Sequence, residues 1–84
     1  WTRPSDGKHH GDVDVSIAIE HLCLAAANVG VGTCWVCNFD VPRCKEAFHL
    51  PEDLEPVAII PMGMPTQEPA PKKRKPMEEI WQEI

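Results

Sequence analysis

The feature that most constrains this chain is the run from Val15 to Val29, Val-Ser-Ile-Ala-Ile-Glu-His-Leu-Cys-Leu-Ala-Ala-Ala-Asn-Val, which contains no Gly or Pro and stops at Gly30. It is long enough for about four helical turns. Gly30 suits the position just past a helix end, where a left-handed backbone costs least without a Cβ. Val15, Ala18, Leu22, Ala25 and Val29 fall on one side of such a helix, while Ile17, Leu24 and Ala27 lie elsewhere. Only Ser16, Glu20, His21 and Asn28 interrupt the apolar surface. A helix apolar nearly all round has to be covered on most sides. A chain of 84 residues has little material for that, so a second chain is expected to lie against it. Asp12 or Asp14 is expected to cap its start, because a carboxylate there accepts orphan N–H groups and suits the positive end of the helix dipole.

The length fits one small unit and excludes two domains. No run of 18 apolar residues is present, and Trp1-Thr2-Arg3-Pro4-Ser5-Asp6-Gly7 lacks the basic start and apolar stretch of a signal peptide. A soluble, cytoplasmic protein without membrane contact is expected by default. The start at Trp1 rather than Met points to a piece of a longer chain. Net charge is -5, from 13 acids and 8 bases. Half of the bases form one run, Lys72-Lys73-Arg74-Lys75, which leaves 4 bases against 10 acids over residues 1 to 71. This balance argues against a nucleic-acid surface and leaves one local anion site open.

Residues 1 to 11 are polar and are expected to form a loop leading into the helix. Val31-Gly32-Thr33-Cys34-Trp35-Val36-Cys37, bounded by Gly30 and Asn38, favours a buried strand. Asp40-Val41-Pro42 opens a short helix through Phe48, ended by Leu50-Pro51. Pro56-Val57-Ala58-Ile59-Ile60-Pro61-Met62-Gly63 suits a second strand whose prolines belong near its ends or on an edge. Eight of the 9 prolines fall between Pro42 and Pro76, so residues 64 to 76 form an extended, Pro-rich basic connection. Met77 to Ile84 is expected to be an amphipathic helix with Ile80, Trp81 and Ile84 on one face.

Four cysteines include Cys34-x-x-Cys37, the spacing of half a metal site or of a redox pair. On a strand, positions 34 and 37 point to opposite faces, so both thiolates cannot grip one ion without a turn. Cys23 and Cys44 lack finger spacing. Buried, reduced structural thiols are the expectation, with a small cysteine-based metal or redox module as the alternative. His9, His10, His21 and His49 show no ligand spacing and suit surface or capping positions. No Gly-x-Ser-x-Gly or other nucleophile pattern is present, so catalysis by side chains alone is unsupported. The basic run admits two readings: a solvated tail or targeting patch, or a phosphate clamp in which Arg offers a planar fork of donors and Lys a point charge. Trp35 suits a core position, yet Gly30-x-Gly32 lets the backbone approach a planar ligand closely.

Taken in order, several motifs carry a resemblance: Asp14, Leu22-x-Leu24-Ala25-Ala26-Ala27, Gly30-Val31-Gly32-Thr33-Cys34-Trp35-Val36, Phe39, Leu50-Pro51, Glu55 through Pro65, and Lys72 through Ile80. With these spacings the chain resembles the C-terminal half of the flavin-dependent nitroreductase family over roughly residues 12 to 80. The resemblance implies an α+β fold, helices packed on a small, mostly antiparallel sheet, with residues 1 to 84 forming the C-terminal portion of a single domain. It also implies a homodimer with FMN at the interface, whose N-terminal half lies outside these residues. The implied activity is reduction of nitroaromatics, quinones or related small-molecule acceptors by NAD(P)H, with hydride passing through the flavin N5. That accounts for the missing side-chain catalyst. Carried over by position, Trp35 and Val36 would lie against the flavin ring, and the N–H groups of Cys37 and Asn38 would reach its N5 and O4 edge. Lys72 and Arg74, two apart, would hold the FMN phosphate. A non-catalytic, dimerising piece of the same fold is the remaining alternative.

Overall fold

The computed structural model describes all 84 residues. Five elements follow one another: α1 (Gly11–Asn28), β1 (Gly32–Thr33), α2 (Val41–Ala47), β2 (Met62–Gly63) and α3 (Met77–Ile80). The arrangement is a partial α+β fold with three helices and one small antiparallel pair, against which α1 packs.

The N-terminal segment is more structured than a loop. Thr2 and His9 form an antiparallel bridge, closed by Arg3 N–H to Lys8 O at 2.9 Å and Gly7 N–H to Arg3 O at 2.9 Å. Gly7 turns the chain at φ 71°, and Arg3 pairs with Asp6 across the turn. The chain leaves this turn directly into α1, four residues before the expected Val15. His10 occupies the capping position and no side chain caps the helix. Asp12 and Asp14 therefore lie inside the first turn, where they act on the dipole rather than on orphan N–H groups.

The other end of α1 matches the sequence expectation at Gly30, which sits at φ 81°. Its N–H donates to Ala27 O at 3.1 Å, and Val31 N–H donates to Ala26 O at 2.9 Å. These two bonds are those of a Schellman motif, which satisfies the last carbonyls and swings the chain out of the helix. The swing delivers β1 against α1.

β1 pairs with β2 antiparallel, Gly32 opposite Gly63 and Thr33 opposite Met62. The same register continues outside the named strands. Cys34 N–H donates to Pro61 O at 3.2 Å, and Val36 and Ile59 exchange bonds of 3.0 and 2.9 Å. The ladder thus runs from Gly32 to Val36 against Ile59 to Gly63, within the two predicted strands. It is broken in the middle because Pro61 has no N–H to return to Cys34.

α2 is bounded by its own sequence. The Asp40 side chain accepts from Arg43 N–H at 2.9 Å, Pro42 lies in the first turn, and Phe48 closes the helix. His49 follows at φ 51°, with its N–H on Glu46 O and Leu50 N–H on Lys45 O. This repeats the Schellman pattern with a non-glycine residue in the left-handed position. α3 is a correction: the expected helix to Ile84 is one turn, and Trp81 is already extended at φ -113° and ψ 134°. α3 touches no other element and buries no residue, whereas α2 buries Cys44, and a short helix without a surface to pack on does not repay nucleation.

The core is thin. Only Cys23, Ala26 and Cys44 are buried. The chain exposes 7707 Å², against about 5,000 Å² for a compact protein of this mass. Its radius of gyration is 17.0 Å, against about 12 Å for a compact chain of this length. α1 rests one stripe, through Cys23 and Ala26, on its own chain. Val13, Ile17, Leu22, Leu24 and Val29 stay exposed. The cysteine expectation holds for half the set: Cys23 and Cys44 are buried, but Cys34 and Cys37 are exposed, and all four are free. Cys34 alternates with Trp35, whose indole reaches α1, so its own side chain turns away from the helix. Cys37 lies past the last rung. No helix is long and apolar enough to cross a membrane.

Candidate functional site

The site assembles where the β1 ladder ends. Val36 makes the last rung, on Ile59. Cys37 and Asn38 follow, both exposed, and neither of their N–H groups is engaged by a backbone or side-chain acceptor. In an antiparallel pair the donors of alternate residues face away from the partner strand. Thr33, Trp35 and Cys37 therefore present their N–H groups along the free edge of β1. A row of unused donors on an open edge suits the polar rim of a flat ligand, and it suits one that gains negative charge best of all.

Trp35 is half-buried, and its indole N–H donates to Glu20 Oε2 of α1 at 3.0 Å. Val36 alternates to the opposite face of the ladder, so Trp35 and Val36 can both meet one ring only across that free edge. Glu20 also lies at one end of an open, shallow patch along one face of α1 formed by Asp12, Val13, Ser16, Ile17 and Glu20.

Lys72 and Arg74 lie on the exposed extended segment between β2 and α3. None of the four bases from Lys72 to Lys75 is within ion-pair distance of a carboxylate; the ion pairs of the chain are Trp1 amino group to Asp14 and Arg3 to Asp6. Arg74 Nη1 donates back to Lys73 O at 3.3 Å. The cationic cluster is thus free to meet an anion. The structure brings Trp35, Val36, Cys37 and Asn38 together, while no hydrogen bond or ion pair joins Lys72 or Arg74 to them. Sequence reasoning missed Glu20. Its signal was there to find: one carboxylate on an otherwise apolar helix, and a Trp whose N–H needs a partner when partly buried.

These residues contain no nucleophile with an adjacent base, so the chemistry they support is binding and polarisation of a group brought from outside. The family description "Nitroreductase family" matches residues 1–64. A nitroreductase family protein of Clostridium difficile, solved by crystallography, superposes with a TM-score of 0.87 at 40% identity, over 98% of this chain and 51% of that one. An NADPH-dependent oxidoreductase of Staphylococcus haemolyticus is 33% identical over 81 residues, which is 92% of this chain and 32% of the relative. A putative NADH dehydrogenase/NAD(P)H nitroreductase of Methanothermobacter thermautotrophicus is 33% identical over 60 residues, 67% of this chain and 31% of the relative. The chain spans about a third of the length of these curated relatives. Family description, sequence likeness and superposition converge on one assignment: the chain belongs to the nitroreductase family.

Proposed function

We propose that the protein carrying this chain is an FMN-dependent oxidoreductase that uses NAD(P)H to reduce nitroaromatic, quinone or related small-molecule acceptors, working as a homodimer. The observation that carries the reading is the pairing of two unsatisfied donor sets in a nitroreductase-family chain. One is the free N–H row of Thr33, Trp35 and Cys37, followed by the unengaged N–H of Asn38. The other is the unpaired cationic cluster at Lys72 and Arg74. A flavin mononucleotide has the matching halves, a flat ring with a polar edge and a dianionic phosphate. The residues present therefore fit the group.

In this reading Cys37 and Asn38 donate their N–H groups to the ring edge, and Trp35 and Val36 cover the ring and exclude water beside it. Arg74 grips phosphate oxygens with its fork of donors, and Lys72 adds a point charge. When bound, FMN supplies a ring N5 that takes a hydride from NAD(P)H and hands it to the acceptor. Fixed N–H donors aimed at the developing negative charge need no reorganisation during the reaction. The exposed Val13, Ile17, Leu22 and Leu24 of α1, with Val29 at its C-terminal cap, give the second subunit, and the remainder of each domain, an apolar surface to cover. The names of the relatives from Staphylococcus and Methanothermobacter support NAD(P)H as the reductant.

The test is the visible spectrum of the protein as encoded, purified and then incubated with FMN. Flavin bands that stay with the protein through gel filtration, and a dimeric elution volume, are expected. A colourless protein after reconstitution refutes the cofactor assignment, and a stable lone monomer refutes the dimer.

A further inference from the structure

The bond from the Trp35 indole to Glu20 is the one side-chain to side-chain hydrogen bond joining two elements of the fold; the other pair of this kind, Arg3 with Asp6, lies within a single turn. It falls at the weakest place of the β1 ladder. Trp35 stands between the Cys34–Pro61 rung, which has one bond because Pro61 cannot donate, and the Val36–Ile59 rung, which is the last. Beyond that rung come Cys37 and Asn38 with their free N–H groups. A segment held by so few backbone bonds gains its second anchor from α1, a rigid element of 18 residues. Glu20 meets no base within ion-pair distance, so its carboxylate is free to accept from the indole.

We infer that Glu20 is a positioning residue: by holding the Trp35 indole to α1 it fixes the end of β1 and so aims the Cys37 and Asn38 N–H groups at the ligand. The assignment rests on the FMN reading for the identity of that ligand, while the anchoring contact does not. In this role Glu20 acts through the Trp35 indole.

The experiment uses the protein as encoded, with Glu20→Ala, Glu20→Gln and Trp35→Phe. Alanine is the best helix former and Glu20 is exposed, so α1 survives the substitution. In flavin-free protein, the Trp35 indole N–H resonance, identified by its loss in Trp35→Phe, is expected to shift upfield and exchange faster with water in Glu20→Ala. Glu20→Gln keeps an acceptor oxygen and retains most of the protection. With FMN, Glu20→Ala is expected to weaken binding by roughly five- to tenfold, somewhat less than the full worth of a hydrogen bond to a charged group because the pair is partly exposed. Glu20→Gln restores most of that. In the Trp35→Phe background Glu20→Ala adds nothing further. An indole resonance unchanged by Glu20→Ala overturns the contact. A changed indole with unchanged FMN affinity overturns the positioning role. A wild-type protein that shows the indole signature but binds no FMN refutes the cofactor reading, and the role toward it falls as well.

Discussion

Replacing Gly30 by Ala tests the junction that delivers β1 to α1. Gly30 holds φ 81°, and a Cβ placed there meets no atom within 4 Å. Any cost therefore lies in the backbone and none in a clash. A left-handed conformation costs a non-glycine residue about 1–2 kcal/mol. Ala also restricts the unfolded chain relative to Gly, which offsets about 0.5–1 kcal/mol of that. The net expectation for Gly30→Ala is a loss of about 1 kcal/mol. Gly30→Asn should cost less, since Asn tolerates this region, and Gly30→Val more, since a β-branched side chain does not. His49 gives the opposite case. It occupies the same position after α2 at φ 51° with the same pair of capping bonds, so His49→Gly is expected to gain up to about 1 kcal/mol. Urea unfolding measures both, as a moved midpoint with unchanged slope. Gly30→Ala as stable as the parent, or the order Ala above Asn, refutes the argument that backbone conformation sets this junction.

Two further outcomes are expected. Arg74→Ala should weaken FMN binding by about 1.5–3 kcal/mol, the worth of a hydrogen bond to a charged group; fluorescence titration of FMN into the apoprotein reads it, and an unchanged Kd removes Arg74 from the clamp. The Asp6 carboxyl is held below its usual range first by the Arg3 guanidinium and then by the Lys8 N–H. Because the folded value is the lower one, this contribution is present above the unfolded pKa of about 3.9 and is lost as pH falls through the folded value. The protection factors of the Gly7 and Lys8 amides, taken relative to the unstructured rate at the same pH, should therefore fall only at acid pH, and Asp6→Asn should show the lower protection already at pH 7.

Residue by residue, the legible parts are those whose physics is local. Gly30 ended α1 where its sequence said it would, because the two capping bonds involve residues at most five apart. Asp40 and Pro42 opened α2 for the same kind of reason. Where a competing partner intervened, the reading shifted. The turn closed by Thr2 and His9 carried the start of α1 back to Gly11, so Asp12 and Asp14 became first-turn acids instead of caps. Met77 to Ile84 has the right period for a helix and nothing to lean on, so it keeps a single turn. Cys34 and Cys37 were expected to be buried as apolar thiols. Cys34 lies on the side of the ladder turned away from α1, and Cys37 lies beyond its last rung, so both stay outside.

The amino-acid sequence by itself determined the long apolar rod, its glycine stop, the family likeness and the cationic run, since each depends on spacing along one stretch of chain. Only the tertiary structure decided that Pro61 faces Cys34, that Val36 makes the final rung, and that Glu20 takes hold of Trp35 from 15 positions away. Those pairings depend on which surfaces meet in space, and a strand shifted by one residue would turn every one of its side chains to the other face.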